Sequence, residues 1–156
     1  MGRRRQGREF ALQSLYLIDV GGMNRSEASL TVGHGSKMDS AAREFAEALI
    51  AGTETYLASL DEHIRAVARN WELGRMATVD RNLLRLASYE LLHCPETPVS
   101  VVIDEALEIA KIYSSHDSSK FINGILDKIK LERPANGIPE QPRKPKTKKD
   151  GPRERA

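Results

Sequence analysis

The residues best suited to chemistry stand in the run Ser115-His116-Asp117-Ser118-Ser119-Lys120-Phe121-Ile122-Asn123-Gly124-Ile125-Leu126-Asp127. They read as a polar helix start with a cation and an aromatic in its first turn, followed by an apolar stripe. Backbone N–H groups at such a start lack partners within the helix and can meet phosphates, while Lys120 adds charge and Phe121 offers a face for a stacked base. A second concentration of positive charge, Gly2-Arg3-Arg4-Arg5-Gln6-Gly7-Arg8, opens the chain. Recognition of single-stranded RNA needs cations for the backbone, planar groups for stacking and short polar side chains for base edges or the 2′-hydroxyl. On this reading Arg3, Arg4, Arg5, Arg8 and Lys120 meet phosphates, Phe121 and Tyr16 stack, and Asp117 and Ser118 reach edges. Each assignment has a plainer rival: Asp117 as a helix cap, Phe121 as core, and the arginines as a solvated arm. Asp117 would repel a phosphate, so its ligand contact is to a base or sugar.

An enzyme is a poor fit to the same residues. A Ser–His–Asp triad must converge from separate positions, which the consecutive His116-Asp117-Ser118 at a helix start cannot do. His34, His63, His93 and His116 show no ligand spacing and Cys94 is the sole cysteine, so neither a zinc site nor an intrachain disulfide is expected. A phosphate-binding glycine loop is absent, and Asp104, Glu105 and Glu108 read as helix-start charge and solvated surface. No catalytic centre, metal or cofactor is expected. No apolar run approaches the roughly 20 residues of a membrane helix, and no apolar segment follows the charged N-terminus as in an export signal. A soluble protein of the reducing cytoplasm, without a membrane partner, is the simplest setting.

The elements that must position these residues are helical. Ala11, Leu15 and Ile18, with Leu12 and Tyr16 beside them, mark a first helix ended by Gly21-Gly22. A short helix falls around Glu27 to Val32. From Asp39 or Ser40 a long pattern runs through Phe45, Leu49, Tyr56, Leu60, Ile64 and Val67, as one helix or two. Thr78 is placed to cap the next, with Val79, Leu83, Ala87 and Leu91 on its apolar face, and Pro95 and Pro98 to stop it. Ser100 opens another, where Asp104 and Glu105 favour the positive end of the dipole. The last carries Ile122, Ile125, Leu126 and Ile129 inward. The prediction is an all-α domain of six or seven helices over 1–133, with consecutive helices antiparallel.

Charge is unevenly spread. The formal net charge of the 156 residues is only +2, but cations crowd the two ends, a layout that suits contact with a polyanion at defined places. Residues 134–156 hold Pro139, Pro142, Pro145 and Pro152 among lysines and arginines, and read as a disordered basic tail.

Five segments in order resemble the transcription antitermination factor NusB family: Arg8-Glu9-Phe10-Ala11-Leu12-Gln13-Ser14-Leu15-Tyr16; Val79-Asp80-Arg81-Asn82-Leu83-Leu84-Arg85-Leu86-Ala87-Ser88-Tyr89-Glu90-Leu91; Pro98-Val99 with Ile103-Asp104-Glu105-Ala106; Ala110-Lys111; and Asp117-Ser118 with Lys120 through Asp127. The loop from Met23 to Met38 and the basic tail depart from it. The resemblance implies two packed three-helix subbundles, with the arginine-rich arm and the start of the last helix lining an RNA site. It implies a small-subunit ribosomal protein partner, NusE, binding with it to the boxA element of nascent ribosomal RNA leaders, within a complex that helps RNA polymerase resist termination. By position it places Asp80, Arg81 and Leu84 on the partner face, although Leu84 also suits a core and Asp80 a helix-dipole role. Two other readings stand beside this one. One is the RNA-binding module of a ribosomal RNA cytosine methyltransferase, for whose α/β domain the 22 residues after Pro134 leave no room. The other is a helical adaptor that homodimerises without RNA. If the main reading holds, the arm at the beginning of the chain and the entrance to the last helix line one groove.

Overall fold

A computed structural model of the chain describes residues 2–134; the basic tail expected over 134–156 lies, from residue 135 onward, outside them. Helical periodicity becomes α1 (Arg3–Gly21), α2 (Arg25–Gly33), α3 (Ser40–Thr55), α4 (Leu57–Val67), α5 (Thr78–His93), α6 (Val99–Tyr113) and α7 (His116–Ile129). Single 3₁₀ turns at Leu73–Arg75 and Lys130–Glu132 complete the regular structure, with no strand among the described residues.

Local chemistry sets most boundaries. Gly22 takes the left-handed conformation (φ 68°) that closes α1, which a side chain would resist. Asn24 and Glu27 form a reciprocal capping box on α2, and the Asp39 carboxylate accepts from the Ala42 N–H to cap α3. Two expected caps are corrected. Thr78 lies inside α5, whose cap position is Ala77 with no side-chain bond, and Pro98 rather than Ser100 precedes α6. Proline there loses nothing, since its missing N–H would have had no helical partner. The long pattern resolves into two helices that meet at Tyr56.

α1, α2 and α3 pack together as one group and α5, α6 and α7 as the other, with α4 against α5 and α7. α5 also touches α1 and α3, so the second group is built around the helix that joins it to the first. The core is aliphatic: Leu12, Ile50, Leu60, Ile64, Leu83, Leu86, Leu91, Ile109, Ile122 and Leu126 are essentially sealed from solvent. α1 and α3 approach closely at Gly7, where a Cβ would stand 2.7 Å from the Phe45 ring and 3.2 Å from the Ala42 carbonyl oxygen.

Buried and half-buried arginines lock helix orientation. Arg8 donates to both oxygens of Glu90 at 2.7 and 2.8 Å, and Arg81 donates to Asp19 at 2.9 Å, so α1 and α5 run antiparallel. Arg85 adds a bidentate contact to Asp61 on α4 and a bond to Asp19, which also accepts from the Asn82 side chain. Arg5 meets Glu105 and Gln13 meets Tyr113, so α1 and α6 run parallel. That geometry sets Arg5 beside the middle of α6 and brings Gln13, two turns further on, to the α6–α7 corner.

Candidate nucleic-acid interface

The arginine arm is not a solvated tail but the first turns of α1, and its four cations have different fates. Arg8 is corrected from phosphate ligand to structural residue: it is 3% exposed, held by Glu90 and lying over Phe45. Arg5 is half committed, with two bonds to Glu105 at 2.6 and 2.7 Å. The hydrogen-bonded carboxylate raises the Arg5 pKa, and the guanidinium holds Glu105 below the usual carboxylate range. Arg3 and Arg4 remain at the surface, Arg3 beside Asp39 at 3.3 Å and Arg4 over the Phe45 ring at 4.4 Å. The helix they open has no acidic residue in its first turn, and Gly2 supplies no side-chain cap. Cations at the positive end of a helix are disfavoured by about 0.3–1 kcal/mol each. The arrangement therefore favours an anion.

Helical register extends this seam. Arg5, Glu9, Gln13 and Tyr16 share one face of α1. Tyr113 at the end of α6 accepts from Gln13 at 2.8 Å and donates to Glu9 at 3.3 Å. Tyr16, partly exposed, lies one turn further on, and Val20 beyond it is also exposed. Arg5 and Gln13 are about 12 Å apart along the helix axis, so the arm and the α6–α7 corner share a seam without touching.

At that corner Ser115, not Asp117, is the cap: its hydroxyl accepts from the Ser118 N–H at 3.0 Å. Asp117 is left exposed. The Ser118 hydroxyl is engaged, accepting from Ser114 and donating to Asp80, both at 2.9 Å. That bond ties the start of α7 to the start of α5. It also corrects the partner-face assignment, because Asp80 is 7% exposed and one of its carboxylate oxygens takes this link, the other being buried without a hydrogen-bond partner. Leu84 is fully buried core, and the Arg81 guanidinium is spent on Asp19 and the Leu73 carbonyl. Residues resembling a family motif sit here for internal reasons.

Lys120 and Phe121 face elsewhere. With Gly124, Ile125 and Lys128 they form one wall of a surface groove of about 600 Å³, the other wall being 66–71 at the end of α4. Phe121 is half-buried, edge-on to Trp71 with ring centroids 5.2 Å apart. No residue of α1 lines this groove, which corrects the expectation that arm and helix entrance share one. Sequence reasoning missed Trp71, Arg69 and Lys128. Trp71 figured only as a break between helices, and its partner is 50 residues away, beyond any periodic signal.

Among the described residues no cluster of His, Cys, Asp or Glu could hold a metal ion, and no helix is long and apolar enough to cross a membrane. Cys94 is partly buried, its pKa pushed up to about 11 by burial and by nearby carboxylates, which leaves it a poor nucleophile.

Comparison with known proteins agrees with this geometry. The transcription antitermination protein NusB of Elusimicrobium minutum is 48% identical over 135 residues, covering 85% of this chain and 96% of that protein. T. maritima NusB superposes with a TM-score of 0.79 at 37% identity, covering 86% of this chain and 95% of that one. A chain from the crystal structure of antitermination factors NusB and NusE in complex with dsRNA gives a TM-score of 0.76 at 26% identity, covering 83% and 96%. The profile of the NusB family matches residues 5–130, nearly the whole helical domain, and the chain belongs to that family.

Proposed function

We propose that this protein is a transcription antitermination factor that binds boxA RNA of nascent ribosomal RNA leaders together with the small ribosomal protein NusE and helps RNA polymerase resist termination. It acts in the cytoplasm and without catalysing a reaction. The curated relatives carry the name transcription antitermination protein, and one structural neighbour was solved with NusE and RNA, which supports the reading. The observation on this chain that carries it is the start of α1: an uncapped helix terminus with no acidic residue in its first turn, bearing exposed Arg4 and, beside Asp39, exposed Arg3. Backbone N–H groups, the helix dipole and two guanidinium groups all favour a phosphate at that point. Tyr16, exposed further along α1, and Asp117, exposed at the start of α7, are the stacking and edge-reading groups of the proposed site, with Ser118 positioned between Ser114 and Asp80.

The test is binding of a single-stranded boxA-type RNA, with and without NusE, over a range of salt. Three or four phosphate contacts predict a log–log slope of about −2 to −3 for a single strand. A flat response would remove the electrostatic anchor. Duplex RNA of the same sequence should bind more weakly to the protein alone, because stacking on Tyr16 needs an unpaired base.

A further inference from the structure

We propose that the cationic run from Arg143 to Lys149 makes a second, sequence-independent contact with RNA, on phosphates flanking the element bound at the start of α1, and that Arg133 is the anchor that delivers it there. This rests on the RNA reading and adds to it a contact outside the residues 5–130 that the family profile matches. Residues 135–156 lie outside the described residues, and their sequence supplies the charge. Arg143, Lys144, Lys146, Lys148 and Lys149 stand within seven positions that hold no Asp or Glu. Four of these cations are lysines, flexible point charges that suit phosphates in any geometry, whereas arginines inside the fold are spent on planar carboxylates.

The structure fixes where this charge is launched. The Arg133 guanidinium donates to the carbonyl oxygens of Cys94 at 2.5 Å, Thr97 at 2.7 Å and Glu90 at 3.4 Å, so it closes the C-terminal end of α5 and favours the negative end of its dipole. Beside it Glu132 pairs with His63 of α4 at 3.0 Å, and Pro134 is buried. The chain therefore leaves the domain from a fixed point. That point adjoins the start of α1, because the same Glu90 that accepts from Arg133 through its carbonyl holds Arg8 through its carboxylate. Arg4, exposed, is one turn back along α1, about 6 Å along the axis. Arg143 is nine residues past Pro134, a path that reaches at most about 30 Å. The run can therefore meet RNA held at Arg3 and Arg4. Like charge keeps it off that helix end itself, which has no acidic residue in its first turn. A polyanion satisfies both.

The experiment measures the full-length protein against two labelled RNAs over a range of salt: a boxA-type single strand, and the same strand lengthened at both ends with uridines. Lys144→Gln, Lys146→Gln, Lys148→Gln and Lys149→Gln together should leave binding of the short RNA unchanged. For the long RNA they should make the salt slope shallower by about 2 to 3 and weaken binding about tenfold at low salt. The melting temperature should hold, because no described residue changes. Lengthening the path from Pro134 about threefold with a Gly-Ser insert should cost about fivefold of the gain on the long RNA. Equal slopes for wild type and the lysine variant on the long RNA, or an equal loss on both RNAs, would overturn the flanking contact and leave the α1 anchor standing; an insert without effect would overturn the anchoring. A melting temperature lowered by the lysine substitutions, with RNA binding unchanged, would overturn it too and assign the run to acidic residues of its own domain. Failure of the wild type to bind either RNA would overturn both readings.

Discussion

Cations meet opposite fates in two regions of this molecule. Across the α1–α5–α6 interface every cation is an arginine and every one is paired: Arg8 with Glu90, Arg5 with Glu105, Arg81 and Arg85 with Asp19, and Arg85 again with Asp61. Along the α7 groove two of the three are lysines, Lys120 and Lys128, and neither they nor Arg69, whose guanidinium donates to the Ala66 carbonyl, has a carboxylate partner among the described residues. The planar guanidinium fork matches a carboxylate bidentately and is weakly hydrated, so it survives burial; an ammonium keeps its water and stays at the surface. Positive charge therefore means helix registry in one region and surface charge without a carboxylate in the other, and a count of basic residues cannot tell them apart.

The comparison breaks most visibly at Arg8. Arg8→Ala leaves Glu90 buried and uncompensated, and is expected to cost about 3–5 kcal/mol in urea unfolding; a cost within experimental error would mean that the pair does not order the interface. Replacing both partners by apolar residues of similar volume should recover much of that loss. Gly7→Ala comes next. It gains helix propensity but drives a methyl into Phe45 and the Ala42 carbonyl, so a net loss of roughly 1–3 kcal/mol is expected, with relaxation at Phe45 visible in ring-proton shifts.

The exposed region should respond in the other currency. For Arg3→Ala with Arg4→Ala, stability should move by no more than about 0.5 kcal/mol, whereas the salt slope of RNA binding should become shallower by about 1.4. Equal losses in stability and affinity would assign these two arginines to the paired set. The smallest effect is expected from pH. His93 stacks on Tyr56 and lies beside Tyr89, and burial, helped by the coulombic effect of His63, pushes its pKa below the ordinary 6.5. The unfolded chain therefore takes up this proton at higher pH than the folded one, and stability should fall as pH drops from 6.5 through the lowered value. Urea midpoints across that window should decline in the wild type and flatten in His93→Gln; parallel curves would clear His93 of the effect.

Fold and site were unequally legible in the sequence. Helix faces could be read because apolar residues three and four positions apart must share a side of a helix, and α1, α5 and α7 emerged with their apolar stripes inward. Caps were legible where the side chain does the capping, as at Asp39, and misread where it does not, as at Thr78 and Ser100. Site residues fared worse, because residue type does not state exposure. Arg8 and Arg4 are one turn apart on the same helix, and only the approach of Glu90 from α5 makes the first a buried staple.

The order of residues by itself determined that the chain is helical, where most helices begin and end, which faces turn inward, and through an ordered set of segments the NusB family. These follow from backbone sterics, capping and periodicity, all of which act within a few residues. Tertiary structure alone decided which cations are spent on carboxylates, that Asp80 meets Ser118, and that Trp71 meets Phe121 across an open groove. Each of these depends on groups brought together from distant parts of the chain, and solvent exposure is a property of that assembly rather than of any residue in it.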